Sequence, residues 1–322
     1  MLRQDLLETQ AQAFAKGTQK NLRSQWKKFL LFQQCSGLTQ FPVSESVVCL
    51  YIQFLSRSLK SPVSVRNYVS GLKCLHELLG FKFPSYDSIA FKLTFKGLDR
   101  VVQHVTRQAE PITVKLLSSL YKVLDMSVPN HVVYWCLFLF LFLLFARKSQ
   151  FVCNTLDPQQ VEFLVTRQDI RLEGNMLLVT FTWTKTRQVG GKPLVVPLAP
   201  IPGSHLCPVK AYKLMLQMVP APPMSPAFVL YHPVGLRPVL YHSFHKVLRS
   251  CLEAVGLDPA RYSSHSFRRG GTTFAFACGL PSELIKAQGD WKSDAYSLYI
   301  DITESQRVIV AKTLAKKMYR KV

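Results

Sequence analysis

The sequence predicts a mainly helical protein with one small antiparallel β-sheet, divided into two domains. Three features carry that expectation. Apolar residues recur at helical spacing through most of the first hundred positions. β-branched and aromatic residues gather in "DIRLEGNMLLVTFTWTKTRQVGGKPLVVPL", Asp169 to Leu198, with turn signals at "EGN" and "VGGK". Between these regions, in "RVVQHVTRQAEPIT", the periodicity lapses and a proline appears, which places a linker at 101–112.

The amino-terminal helices, expected within 13–100, are small and amphipathic. In "TQKNLRSQWKKFLLFQQCSG" Thr18 is placed as the N-cap and Gly37 as the stop. Leu22, Trp26, Phe29 and Leu30 form the apolar stripe, and Lys20, Arg23 and Lys27 fall on another face. "SESVVCLYIQFLSRSLK" follows with a Ser cap. "SPVSVRNYVSGLKCLHELLG" then aligns Arg66, Ser70 and Lys73 on one face. A lone lysine on such a face signals solubility only; basic faces on three helices favour a DNA-facing surface, carried by Lys20, Arg23, Lys27, Arg66 and Lys73.

The second domain, expected over 113–322, begins with the 15-residue apolar run Val132–Ala146, too short for the roughly 20 residues of a membrane-spanning helix and read as a buried core helix. The meander of about three strands comes next. Helices resume at "LCPVKAYKLMLQM", with a strand-like "AFVLYH" after it.

Composition limits the function. The chain has 322 residues, 48% hydrophobic and 18% charged, which fits a packed globular protein. Lys and Arg number 40 against 19 Asp and Glu, a net charge of +21, and the excess is spread: +9 through residue 107 and +12 beyond it. That favours a polyanionic partner. The eight cysteines include no CxxC pair and no zinc-ligand spacing, and no signal-peptide pattern opens the chain. They read as reduced thiols of an intracellular protein.

"HSFRRGG", residues 265–271, places His265 and Arg268 in the first turn of a helix starting at Ser264 or His265. Free N–H groups and the positive dipole end lie there too, so an anion-binding corner is expected. Gly270 and Gly271 weaken the helix, so something must approach its backbone closely.

With "GDW" and "YSLYI" downstream, this pattern resembles the tyrosine recombinases of the phage-integrase type. The family's functional residues appear in order: Arg147 in "FARKSQ", Lys185 in "TWTKTRQ", His265 and Arg268, Trp291 placed 26 residues after His265, and Tyr299 eight residues further on. The resemblance spans nearly the whole chain. It implies a helical, SAM-like core-binding domain followed by an α+β catalytic domain with a helical tail. The wording of "RRGGTTFAFACG" and "GDWKSDAYSLYI" is similar to recombinases of DIRS- and Ngaro-like mobile elements, which implies a nuclear protein.

Three departures stand out. Gln150 occupies a place often held by Glu or Asp. Tyr299 comes one residue short of the usual spacing, so Tyr296 stands as a rival nucleophile. Lys192 and Lys148 compete with Lys185.

The implied enzyme is a DNA strand transferase for site-specific recombination and integration. Arg147 and Arg268 would hold the phosphate oxygens, which suits planar guanidiniums that each offer two N–H donors. His265 would take the proton of Tyr299, Lys185 would protonate the departing 5′ oxygen, and Trp291 would donate its indole N–H. Neither cofactor nor metal is implied. Double-stranded DNA is the expected partner, with a homotetramer on two DNA sites, no membrane and no small-molecule substrate. The alternatives are a catalytically inactive, recombinase-derived DNA-binding protein and a type IB topoisomerase.

Overall fold

The computed structural model describes residues 2–102, 108–184, 192–300, Val308 and Lys312. The chain forms two compact units, Met1–Thr106 and Arg107–Val322.

The first unit is helical: α1 (Leu2–Ala11), α2 (Lys16–Ser36), α3 (Glu45–Ser56), α4 (Pro62–Leu78) and α5 (Ile89–Val101). Its core joins Phe29 and Phe32 of α2 to Tyr51, Ile52 and Leu55 of α3 and Val69 and Leu72 of α4. The Ser44 side chain caps α3 by accepting from the Val47 N–H. Thr18 does not cap α2. The first intrahelical bond there runs from the Gln19 N–H to the Ala15 carbonyl, which puts Thr18 inside the opening turn. Leu30 is 56% exposed, since it lies beside the Phe29 stripe rather than on it. Gly71 lets α4 close on α2: a Cβ there would fall 2.1 Å from Gln25 Oε1, and the Trp26 indole N–H reaches the Gly71 carbonyl at 2.9 Å.

The second unit contains α6 (Val114–Val123), α7 (Pro129–Leu143), α8 (Pro158–Val161), β1 (Ile170–Glu173), β2 (Met176–Phe181), β3 (Leu194–Leu198), α9 (Pro208–Met218), β4 (Val229–His232), β5 (Gly235–Pro238), α10 (Tyr241–Ala254), α11 (His265–Ala277) and α12 (Ser282–Gln288). Helix α7 is its spine, with every residue from Val132 to Phe142 buried. Phe138 packs on Phe244 of α10 and Phe267 of α11, and Phe140 on Tyr212 of α9. Each fully buried Phe contributes about 1.5–3 kcal/mol of transfer free energy, so this apolar run sets the position of everything around it. No described helix is long and apolar enough to cross a membrane.

Strands β1, β2 and β3 form the expected antiparallel meander. Leu177, Val179 and Phe181 alternate inward along β2, and Val179 pairs with Val196. Strand β4 is the expected "AFVLYH" strand. Its partner β5 has no sequence signature, because "GLRP" is short and contains Gly and Pro.

The expected linker is shorter than 101–112. Helix α5 runs to Val101, and the last residues of the stretch belong to the second unit. The Glu110 N–H donates to Arg261 O at 2.8 Å, the Ile112 N–H donates to Ser266 O at 2.9 Å, and Ile112 is fully buried.

Candidate active site

Helix α11 begins at His265, as the sequence suggests, and Gly279 follows its end with φ +77°. Its opening turn is less free than expected. The His265 N–H donates to the Ser263 hydroxyl and the Ser266 N–H to the Ser263 carbonyl, while the Ser263 N–H donates back to the Ser266 hydroxyl. Two of the donors expected to meet an anion are therefore occupied, and side chains carry the site instead.

The close approach at the glycines is internal. A Cβ on Gly270 would stand 1.8 Å from the Ile112 carbonyl oxygen, and one on Gly271 would stand 2.0 Å from that of Phe142. The double glycine thus lets α11 lie against α7 and against the segment entering α6.

That packing brings Arg268 to the end of α7. Beyond α7 the chain turns at Phe145, whose φ of +48° aims its carbonyl at the guanidinium. Arg268 Nη1 donates to that carbonyl and Nη2 donates to Gly289 O at 2.8 Å. The same group lies over Trp291, 3.7 Å from guanidinium carbon to ring centroid. Arg268 is 1% exposed, and its Nε–H has no hydrogen-bond partner among the described residues. Burial, then the nearby charge of Arg147, push its pKa down to about 9, while Tyr299 and Asp290 oppose that fall.

Arg147 follows the turn and leads into a short 3₁₀ segment, Lys148–Gln150. Gln150 is buried, and its Oε1 accepts from the Arg147 backbone N–H at 2.7 Å. Gln150 therefore fixes the Arg147 main chain rather than its guanidinium. Lys148 lies over the Tyr241 ring, with burial lowering its pKa.

His265 keeps an exposed edge, yet its pKa is lowered by desolvation and then by Arg268, Lys148 and Arg147. Tyr299 ends a 3₁₀ segment, Asp294–Tyr299, with its ring centroid 6.3 Å from His265, 5.5 Å from Trp291 and 5.3 Å from the Arg268 guanidinium carbon. Thr273 Oγ1 donates to its carbonyl at 3.0 Å. Tyr296, the rival, has its ring centroid 6.3 Å from that of Trp291.

Arg147, His265, Arg268, Trp291 and Tyr299 thus form one cluster from three stretches of chain. Lys185 lies outside the described residues, and Lys192 is exposed beside β3. In the first unit, Lys20, Arg23 and Lys27 are exposed and have no ion pair among the described residues. Arg66 is engaged instead: Asp99 holds it bidentately at 2.8 and 2.7 Å, and Phe95 stacks beneath it. Lys73 pairs with Glu77 at 3.6 Å and lies over Tyr86.

No protein-family model matches the chain, and no curated protein matches its sequence. Its backbone does match solved structures. The XerH site-specific recombinase, bound to palindromic difH substrate in a post-cleavage complex, aligns with TM-score 0.64 and 13% identity, covering 92% of this chain and 79% of that one. This chain has the tyrosine-recombinase fold. The Tn1549 transposon integrase in complex with transposon right end DNA aligns with TM-score 0.59 and 12% identity over 92% of this chain and 94% of that one. A lambda integrase dimer bound to a COC′ core site gives TM-score 0.59 and 13% identity, with 93% and 76% covered. At such identities the recombinase fold is a statement about backbone, and the cluster's side chains stand on their own geometry.

Sequence reading passed over the residues that hold Arg268 in place. The Phe145 and Gly289 carbonyls leave no mark in a side-chain motif. Asp290 sits openly in "GDW", but its partner Thr184 is far away in the chain, and Thr184 Oγ1 donates to Asp290 Oδ2 at 2.5 Å in a buried contact.

Proposed function

We propose that the protein is a site-specific DNA recombinase, cutting and rejoining double-stranded DNA through a 3′-phosphotyrosyl intermediate in the service of a mobile element. The observation that carries this is the convergence of Arg147, His265, Arg268, Trp291 and Tyr299 around one buried guanidinium. A cation as buried as Arg268, with an unpaired Nε–H and a second arginine beside it, is costly unless an anion arrives. A backbone phosphate is that anion.

In the proposed reaction Tyr299 Oη attacks the phosphorus of a DNA phosphodiester and the bond from phosphorus to the 5′ oxygen breaks. His265, whose pKa is lowered by desolvation and then by its cationic neighbours, accepts the phenolic proton. Lys185 gives a proton to the departing 5′ oxygen. Arg147 and Arg268 neutralise the charge gathering on the non-bridging oxygens. The phosphotyrosyl link conserves the energy of the broken ester, so a second 5′-hydroxyl reverses the step.

We also propose assembly as a homotetramer on two DNA sites, with the segment after Tyr299 seated on a neighbouring copy. An apolar groove of about 520 Å³ supports this. Phe142, Leu143 and Ile285 lie along it, and Phe274, Leu280 and Leu284 are 48%, 47% and 59% exposed at its rim. Val308, Val310 and Leu314 of the tail offer a matching apolar set.

The test is covalent capture. The full chain is incubated with a nicked duplex that has been selected by binding from a random library, with a chelator present. A protein–DNA adduct that survives denaturant is the expected result. Tight binding without any adduct would instead mark an inactive DNA-binding derivative.

A further inference from the structure

We infer that Asp290 is a positioning residue for Arg268, and that Thr184 holds it in that role. The inference rests on the recombinase function proposed above. The turn Gly289–Asp290–Trp291 supplies two sides of the space around Arg268. Its first residue gives the carbonyl that accepts from Nη2 at 2.8 Å, and its third gives the indole face 3.7 Å away.

Neither contact fixes the turn by itself. Asp290 adopts φ +53°, a left-handed conformation that costs a non-glycine residue free energy unless its surroundings hold it there. Backbone bonds from the Asp290 N–H to Ala287 O at 3.2 Å and from the Trp291 N–H to Lys286 O at 3.0 Å close the turn, and a buried hydrogen bond of 2.5 Å from the Thr184 hydroxyl holds the Asp290 carboxylate. An O–H donor on an ionised acceptor, shielded from water, makes a short and strong bond.

Thr184 is fully buried just past β2, a strand tied into the meander through Phe181 and Leu194. The turn around Arg268 is therefore anchored through the Asp290 side chain to the sheet as well as through its backbone to its own helix. The carboxylate also lies near enough to Arg268 to favour its charged form. Asp290 in this way sets both the place and the charge of the guanidinium without touching DNA.

The experiment compares wild type, Thr184→Val and Thr184→Ser as full chains on two nicked duplexes of the same selected sequence. One carries an ordinary scissile phosphodiester; the other carries a methylphosphonate there. The methylphosphonate removes the charge that Arg268 serves, so a fault confined to Arg268 placement matters little on it. Thr184→Val should form adduct about 10–100-fold more slowly on the phosphodiester, less than the roughly 100–1,000-fold of a lost charge-stabilising donor because Arg268 is displaced rather than removed. On the methylphosphonate it should stay close to wild type. Thr184→Ser keeps the donor and should restore the phosphodiester rate.

Equal losses on both substrates, or a Thr184→Ser defect as large as that of Thr184→Val, would show a general structural role and overturn the inference. A wild-type rate in Thr184→Val would overturn it too, and leave the recombinase function standing. Wild-type protein that forms no adduct on either duplex would remove that function and this inference with it.

Discussion

Trp291 and Arg268 are in face contact, with the guanidinium carbon 3.7 Å from the indole centroid. Gly289 makes that contact possible. A Cβ at position 289 would fall 1.7 Å from an atom of the Trp291 ring, so any larger residue must push the indole away. A desolvated cation–π pair is worth about 2 kcal/mol, enough to change a rate by more than tenfold. Gly289→Ala should therefore slow adduct formation at least tenfold while leaving DNA affinity near wild type. Gly97→Ala in α5, where a Cβ meets nothing within 4 Å, should leave the rate unchanged. Equal rates in the two variants would show that the indole does not need its present place.

His265 should titrate below its ordinary value of 6.5 in the free protein, because desolvation and three neighbouring cations oppose its protonation. The unfolded chain takes up this proton first as pH falls through 6.5, so the contribution of His265 to stability declines with acidification there. The neutral ring is the proton-accepting form, and so the acid limb of the cleavage profile should also have its midpoint below 6.5. A ring titration by NMR checks the first expectation directly. A midpoint at or above 6.5 would contradict the charge environment described here.

DNA affinity should fall steeply with salt, with a log–log slope of about −5 to −10 if about six to ten phosphates are contacted. The exposed, unpaired Lys20, Arg23 and Lys27 should each reduce the slope by about 1 when changed to Ala. Arg66→Ala should change it less, since Asp99 already neutralises Arg66. Titrations at several salt concentrations decide this, and a slope near zero would exclude nucleic acid as the partner.

Removing the residues after position 304 should spare DNA binding by a single copy and abolish the higher-order complex on native gels. Leu284→Asp, at the exposed rim of the apolar groove, should do the same from the receiving side. A truncated chain that still assembles would show that the groove takes something else.

The parts of the molecule that were legible in the sequence are those governed by local pattern. The 3.6-residue spacing in α2 and α4, the alternation in β2 and the apolar run of α7 each announce one element. The order Arg147, His265, Arg268, Trp291, Tyr299 announces one site. Relationships set by tertiary packing were hidden. Thr18 has the chemistry of a cap and lies inside a helix that Ala15 begins. Arg66 looks like a free cation until Asp99, 33 positions later, is folded against it. The close approach implied by Gly270 was readable, but not that Ile112 would be what approaches. Asp290 and Thr184, 106 positions apart, became a pair only once the sheet was placed beside the α12 turn.

The choice of nucleophile tests the whole account. Tyr299 has ring contacts with both His265 and Arg268, whereas Tyr296 has its ring contact with Trp291. Tyr299→Phe removes the attacking oxygen and keeps the ring, so binding to the selected duplex should persist while the denaturant-resistant adduct disappears. Tyr296→Phe should keep the adduct. Both should behave identically with and without a chelator, because no step is assigned to a metal. The decisive measurement is the adduct yield of these two variants on the same nicked duplex. Loss with Tyr299→Phe alone is the predicted result, and a Tyr299→Phe protein that still links covalently to DNA would contradict the account.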